Sequence, residues 1–264
     1  MPKKKIYDFS ISATSLVIFQ TCPMQWAYKY LFKPIIVKVP QRHMVLGNAL
    51  HTLMQHYYHR WEELEWKKTW LIDSWEDCYK HHFLKAKLPI SNSEIISGKE
   101  HLDWLHGALE KQGWLKPAFQ VKDKSGIEYS FKFPYNGHTD FIVDIIGKID
   151  LLQKNSVIDV IDWKSGSNQG NIIDDVASST QLLIYSAALK KVLDINEENL
   201  YLVYIYLHEI RKFTVGNELF KLIVQQVNAL LDAYAVQEYQ CIKGKHCQYC
   251  DYKIICKAET SQRI

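Results

Sequence analysis

Near residue 126 the period of the apolar residues changes, and no feature of this 264-residue chain restricts its fold more. Residues 126–137, GIEYSFKFPYNG, alternate as a strand does and end in a turn. TDFIVDIIGKIDLL and SVIDVIDWKSG follow as two apolar strands. DVASSTQLLIYSAALKKVL reads as an amphipathic helix over 175–193, NLYLVYIYLHEI as one buried strand, and ELFKLIVQQVNALLDAYAV as a long helix over 218–236. Strand, strand, strand, helix, strand behind a helical first half predicts an α/β fold: a mixed β-sheet core flanked by helices, with a helical cap or insertion.

The first half carries the helical period. Residues 10–32 read as two short helices, with Ser12 as N-cap of the first and Pro23 at the first position of the second, leaving Cys22 at the joint. Residues 44–86 place Leu46, Leu50, Leu53 and Tyr57 on one stripe, and helical character continues over 69–116 with breaks near Pro89 and Gly98. Hydrophobic residues make up 47% of the chain, ample for the core of one large domain over 1–264. Its parts are the N-terminal helices (10–32), a helical cap (44–120), the α/β core (126–236) and a cysteine-rich end (241–264). No apolar run approaches the roughly 18 residues of a membrane span, and the basic start lacks the apolar stretch of a signal peptide. The expectation is an intracellular protein without a membrane partner. A net charge of +3 agrees with a nucleic-acid partner without demanding one.

The chemistry begins with two acids on apolar strands. Asp150 stands in Ile-Asp-Leu-Leu, and Asp162 and Lys164 stand in Ile-Asp-Trp-Lys. Two carboxylates held close repel each other, and burial raises the cost. A divalent cation relieves both penalties, and Mg²⁺ suits such hard oxygen ligands. Lys164, two residues from Asp162, shares its face of the strand and can meet a scissile phosphate or help position or deprotonate a water. Asp159, at odd spacing from Asp162, faces the other way.

GKID, then VIDVIDWKSG, then QLLIY resembles the PD-(D/E)XK nuclease superfamily, and within it the RecB-like branch. That branch includes AddB-type nuclease domains and the CRISPR-associated four-cysteine exonucleases. The resemblance implies a restriction-endonuclease-like fold. It makes Asp150 of Gly147-x-x-Asp150 a metal ligand, Asp162 and Lys164 the Asp-x-Lys element, and Gln181 and Tyr185 a Gln-x-x-x-Tyr motif. The last two are four apart and share a helical face. In GNALH, Gly47 and His51 match an upstream Gly-x-x-x-His element, which makes His51 a further ligand and suits Mn²⁺ as well as Mg²⁺. Glu128 matches a first-strand Glu that binds metal or substrate; an exposed strand-edge Glu is the other reading.

The six cysteines extend the resemblance. Cys22 in SISATSLVIFQTCP, with Cys247, Cys250 and Cys256 in CQYCDYKIIC, matches members that hold a four-iron, four-sulfur cluster. Zinc held locally by Cys241, Cys247, Cys250 and Cys256 is the alternative. With the cluster, Cys78 and Cys241 are ordinary thiols. Trp61, Trp66, Trp70 and Trp75 either pack in the core or form a stacking platform for bases.

The resemblance implies a Mg²⁺- or Mn²⁺-dependent DNA exonuclease acting on single-stranded or frayed DNA in repair, recombination or mobile-element processing. The chain has no Walker A pattern, so helicase activity would come from a partner. Two rival readings are a spacer-trimming nuclease acting with CRISPR integrase partners and a catalytically silent DNA-binding accessory protein.

Overall fold

The computed structural model describes residues 5–36, 39–65, 67–165, 172–213 and 217–256. Its centre is a six-stranded mixed sheet: β1 (Lys5–Ile11), β4 (Ile127–Tyr135), β5 (Phe141–Lys154), β6 (Ile158–Lys164), β7 (Glu198–Tyr204) and β8 (Glu209–Phe213). A separate two-stranded ribbon joins β2 (Gln120–Val121) and β3 (Lys124–Ser125). The helices are α1 (Ala13–Thr21), α2 (Pro23–Ala27), α3 (Arg42–His59), α4 (Lys67–Lys85), α5 (Asn92–Lys111), α6 (Ile172–Ala188) and α7 (Asn217–Val236). This is the expected α/β architecture, a mixed sheet with helices on both faces.

The sheet separates two cores. On one face Leu16 of α1, Trp26 of α2, Leu182 of α6 and Leu230 of α7 pack with Val143 and Val160. On the other, Leu50 of α3, Trp75 of α4 and Leu105 of α5 pack with Ile161 and Trp163. Each large side chain so buried contributes about 1.5–3 kcal/mol of transfer free energy. Trp61 and Trp75 are buried and Trp70 is half-buried against the second core, so these three pack rather than form an open platform. Trp66 lies outside the described residues. Among the described residues no helix is long and apolar enough to cross a membrane.

Local sequence rules account for the start. Ser12 and Ser15 cap α1 reciprocally, each side chain bonded to the other's backbone amide. Pro23 opens α2, where its missing N–H costs no hydrogen bond. Other expectations are corrected. The stretch 44–86 is two helices, α3 and α4, that fold back on each other. Gly98 does not break α5: a Cβ there would lie 2.2 Å from Trp75 Nε1, so this glycine lets α5 lie against the Trp75 indole. NLYLVYIYLHEI is not one strand, because His208 adopts a left-handed φ of 53° and turns the chain from β7 into antiparallel β8. Residues 5–9, which carried no expectation, and Ser10 and Ile11, expected at the start of the helical stretch, form β1 parallel to β5.

The register of β5 positions the site. β4 runs along one side of it from Val143 to Leu151. On the other side β1 pairs as far as Ile145, and β6 begins only at Leu151. Residues 146–150 therefore face a fork in the sheet, and Gly147, Lys148 and Asp150 lie in it.

Candidate active site

Backbone groups beside the fork that no strand pairs are met by side chains. The Trp163 amide donates to Asp150 Oδ2 at 2.8 Å, carrying the link between β5 and β6 past the point where their ladder ends. Tyr185 of α6 donates to the Lys148 carbonyl at 2.6 Å and lies 3.3 Å from Asp162 Oδ1. With one proton to give, the hydroxyl gives it to the closer carbonyl. Gln181 donates to the Tyr185 oxygen at 2.6 Å and accepts from Lys164 Nζ at 2.6 Å. Lys164 also pairs with Asp162 Oδ2 at 2.6 Å, and Asp162 is 1% exposed. Gln181 and Tyr185 thus hold the ammonium and the strand edge from one helical face.

Two glycines make the approach possible. A Cβ on Gly47 would meet Ser165 Oγ at 2.7 Å, so α3 can close on the end of β6, and one turn later His51 Nδ1 reaches Asp150 Oδ2 at 3.4 Å. A Cβ on Gly147 would lie 2.3 Å from Phe131 Cζ, because the Phe131 ring of β4 crosses over the glycine.

Glu128 has a φ of 50° in the middle of β4. A non-glycine residue in the left-handed region costs about 1–3 kcal/mol. The twist interrupts the alternation: Ile127 packs into one core and Tyr129 into the other, and Leu151 and Ile149 opposite them divide in the same way. Ligand atoms of Glu128, His51 and Asp150 all lie within 4.8 Å of one another. Asp162 stands outside this trio, its carboxylate taken by Lys164. The reading of Glu128 as an exposed strand-edge residue is thus corrected, since its carboxylate turns toward His51 and Asp150.

The electrostatics fit a cation. Burial pushes the Asp150 carboxyl up, and the Asp162 charge pushes it further. For His51, burial opposes the charged form, but Asp150, then Asp162 and Glu128, outweigh it and raise the imidazolium to about 9. Lys164 follows the same logic: burial works against its charge, and Asp162 and then Asp150 hold its pKa above the usual value. One imidazole and two carboxylates facing a cleft of about 630 Å³ are a donor set suited to Mg²⁺ or Mn²⁺.

Asp159 does face away from Asp162. It is buried and accepts from Trp114 Nε1, Asn155 Nδ2 and Asn199 Nδ2 at 2.8, 2.6 and 2.8 Å, a fully bonded structural acid.

The family model of the PD-(D/E)XK nuclease superfamily matches residues 10–257. The chain belongs to that superfamily. Nucleases of this superfamily use divalent metals, and the trio at the fork of this chain has the donors for one. The chain is 25% identical over 211 aligned positions to a subunit of the ATP-dependent helicase/deoxyribonuclease of Clostridium botulinum strain Hall, covering 68% of this chain and 17% of that protein. The corresponding protein from strain Langeland matches to the same extent. The chain therefore spans about one sixth of the length of these curated relatives. The solved structure of SSO0001 superposes with a TM-score of 0.45 at 16% identity, covering 96% of this chain and 88% of that one.

Five of the cysteines gather where the α1–α2 joint meets the segment after α7. Met24 N donates to the Gln240 carbonyl at 3.1 Å, which pins the α1–α2 joint beside Cys241. Tyr28 donates to the Ile255 carbonyl at 3.3 Å, and its pKa is raised by burial and then by Cys256, Cys241, Cys22 and Cys250 around it. Cys241 Sγ lies 3.2 Å from Cys256 Sγ, so Cys241 is a neighbour of this group, although the cluster reading treats it as an ordinary thiol. Cys247 contacts His246 Nε2 at 3.6 Å. Cys78, at the α3–α4 contact, is remote in role, with its thiol on the Ala49 carbonyl.

Sequence reasoning missed Lys148, whose Nζ pairs with Glu128 Oε2 at 2.8 Å. Its signal was present, since it lies two residues from Asp150 on the same strand. It also missed His82 and Lys85 of α4, which line the cleft from 31 or more residues away in sequence, a separation that no spacing rule crosses.

Proposed function

We propose that the protein is a Mg²⁺- or Mn²⁺-dependent DNA exonuclease acting on single-stranded or frayed ends. The observation that carries this reading is the fork in the sheet, where His51, Glu128 and Asp150 converge beside the Asp162–Lys164 pair. His51, Glu128 and Asp150 would hold the metal, with Asp162 joining them or keeping Lys164 in place. Bound there, the cation would lower the pKa of a water and neutralise charge on the phosphate. Lys164 contributes a fixed ammonium toward the phosphate, where charge grows in the transition state. Gln181 positions that ammonium, and Tyr185 ties α6 to the β5 edge so that both stay aimed.

The curated relatives are named as helicase/deoxyribonuclease subunits. That name supports DNA as substrate and a separate or fused helicase as partner. The cysteine-bearing start and end support a second, structural group: Cys22, Cys247, Cys250 and Cys256 holding a four-iron, four-sulfur cluster, as in the four-cysteine branch of the family.

Linear single-stranded DNA and a closed circle of the same sequence, each incubated with Mn²⁺, test the activity. Loss of the linear form with survival of the circle is expected, and Asp150→Ala should preserve both. Equal loss of both forms would make the protein an endonuclease. Survival of both with wild-type protein in Mg²⁺ and in Mn²⁺ would favour the silent accessory protein.

A further inference from the structure

The cleft that holds the metal trio is also lined by polar side chains of the helical segment. His82 and Lys85 stand in the last turn of α4, and Asn48, Thr52 and Gln55 form one stripe of α3 beginning beside His51. We propose that His82 and Lys85, together with this α3 stripe, form a subsite for a non-scissile phosphate of the DNA strand being cut. The proposal rests on the nuclease reading and names where the strand is gripped.

Three observations carry it. First, the groups share the cleft with Asp150 and Glu128, so anything held between the helices reaches the acids. Second, Lys85 has no acid to neutralise it, and His82, whose pKa is lowered by burial and then by His81 and Lys85, stands beside it as a neutral imidazole. Among the described residues no carboxylate pairs with Lys85 or His82, and the groups that act electrically on His82, after its burial, are His81, Lys85 and His56. A cation in a last helical turn complements the backbone dipole. That alone does not turn it toward a cleft holding two carboxylates.

Third, Asn48, Thr52 and Gln55 are spaced four and three apart, so they line one face over eight residues, about 10 Å of helix. They offer neutral donors and no charge, as suits a backbone passed along rather than locked at one point. The α3 stripe, His82 and Lys85 therefore line the same cleft as His51, Glu128 and Asp150. A phosphodiester is the ligand that one unpaired ammonium, a neutral imidazole and a donor stripe suit, and the metal trio would act on the next phosphate.

Single neutral methylphosphonates walked along a labelled single-stranded oligonucleotide test the subsite. Binding is measured in Ca²⁺ with wild-type protein, Lys85→Ala, and the His82→Gln/Lys85→Ala pair. Thermal melting checks that each variant is folded, and Lys85 is exposed enough for its loss to leave the core alone. One linkage position should weaken wild-type binding by about tenfold, as for loss of a charged hydrogen bond. Lys85→Ala should weaken binding by a similar factor and be indifferent to the methylphosphonate at that position, and it should lower the salt slope by about 1. If the two losses multiply at every position, or if the double variant binds as wild type does, the subsite is refuted. Because binding is read without cleavage, a failed nuclease reading shows separately, as intact DNA after incubation of the wild type with Mn²⁺.

Discussion

At the scale of single residues, the site is a set of charges held by neutral partners. Lys164 lies between Asp162 and Gln181, both at 2.6 Å. Lys164→Ala should lower the cleavage rate by about 10²–10³-fold, the usual cost of one preorganised electrostatic donor, with the fold intact by circular dichroism. Gln181→Ala leaves the Asp162 pair and should cost less, about tenfold in kcat with metal affinity unchanged. Wild-type turnover in Lys164→Ala would remove it from the chemistry. His51 gives a pH test. Its folded value is raised to about 9 from 6.5, so its pairing with Asp150 stabilises the metal-free protein fully below about pH 6.5 and is lost as the pH climbs through about 9. The imidazole is partly exposed, so screening reduces the effect to about 1 kcal/mol, or 2–4 °C in Tm. Tm measured in chelator from pH 6.5 to 9.5 should fall further for wild type than for His51→Gln, and parallel curves would dismiss the pair.

At the scale of elements, the motif glycines are contact points between strands and helices. Gly147 lets the Phe131 ring of β4 cross β5, and Gly47 lets α3 meet Ser165. Gly147→Ala should destabilise the protein by about 1–3 kcal/mol through overpacking. Adding Phe131→Leu, which removes the ring that the new methyl would strike, should make the double variant more stable than the sum of the single changes allows. Additive losses in urea melts would show that Gly147 serves backbone conformation rather than space. The strained Glu128 belongs to this scale as well: its left-handed turn moves the neighbouring side chains to opposite faces and points one carboxylate at the trio.

At the scale of the whole molecule, the ends of the chain close on each other. Cys22 at the α1–α2 joint and the cysteines after α7 meet across most of the sequence, so a metal group bound there would close one long loop. Protein purified without oxygen should be brown, and Cys22→Ser should bleach it and lower its melting temperature, whereas Cys78→Ser should do neither. Stoichiometric zinc in a colourless protein, indifferent to Cys22→Ser, would instead support the local set of Cys241, Cys247, Cys250 and Cys256.

Periodicity and short-range chemistry were legible in the sequence by itself: the α/β class, the Ser12 cap, Pro23 at its helix start, the opposite facing of Asp159 and Asp162, and the motif residues that the fold brings together. The class, the cap, the proline and the facing of the two acids follow from alternation, helical spacing or a preference within a few residues, whereas the motif residues are legible only through the resemblance to a known family. Only the tertiary structure decided the rest. Gly98 reads as a helix break until the Trp75 indole is seen against it. Glu128 reads either as a metal or substrate ligand or as an exposed strand-edge acid, and the fold decides which way its carboxylate turns, toward His51 and Asp150. The fork over residues 146–150 exists because β1 and β6 take different stretches of one edge of β5, and Lys85 reaches the cleft because α4 folds back along α3. Each depends on residues far apart in the chain meeting in space, and a sequence period reports only on neighbours within a turn or a strand.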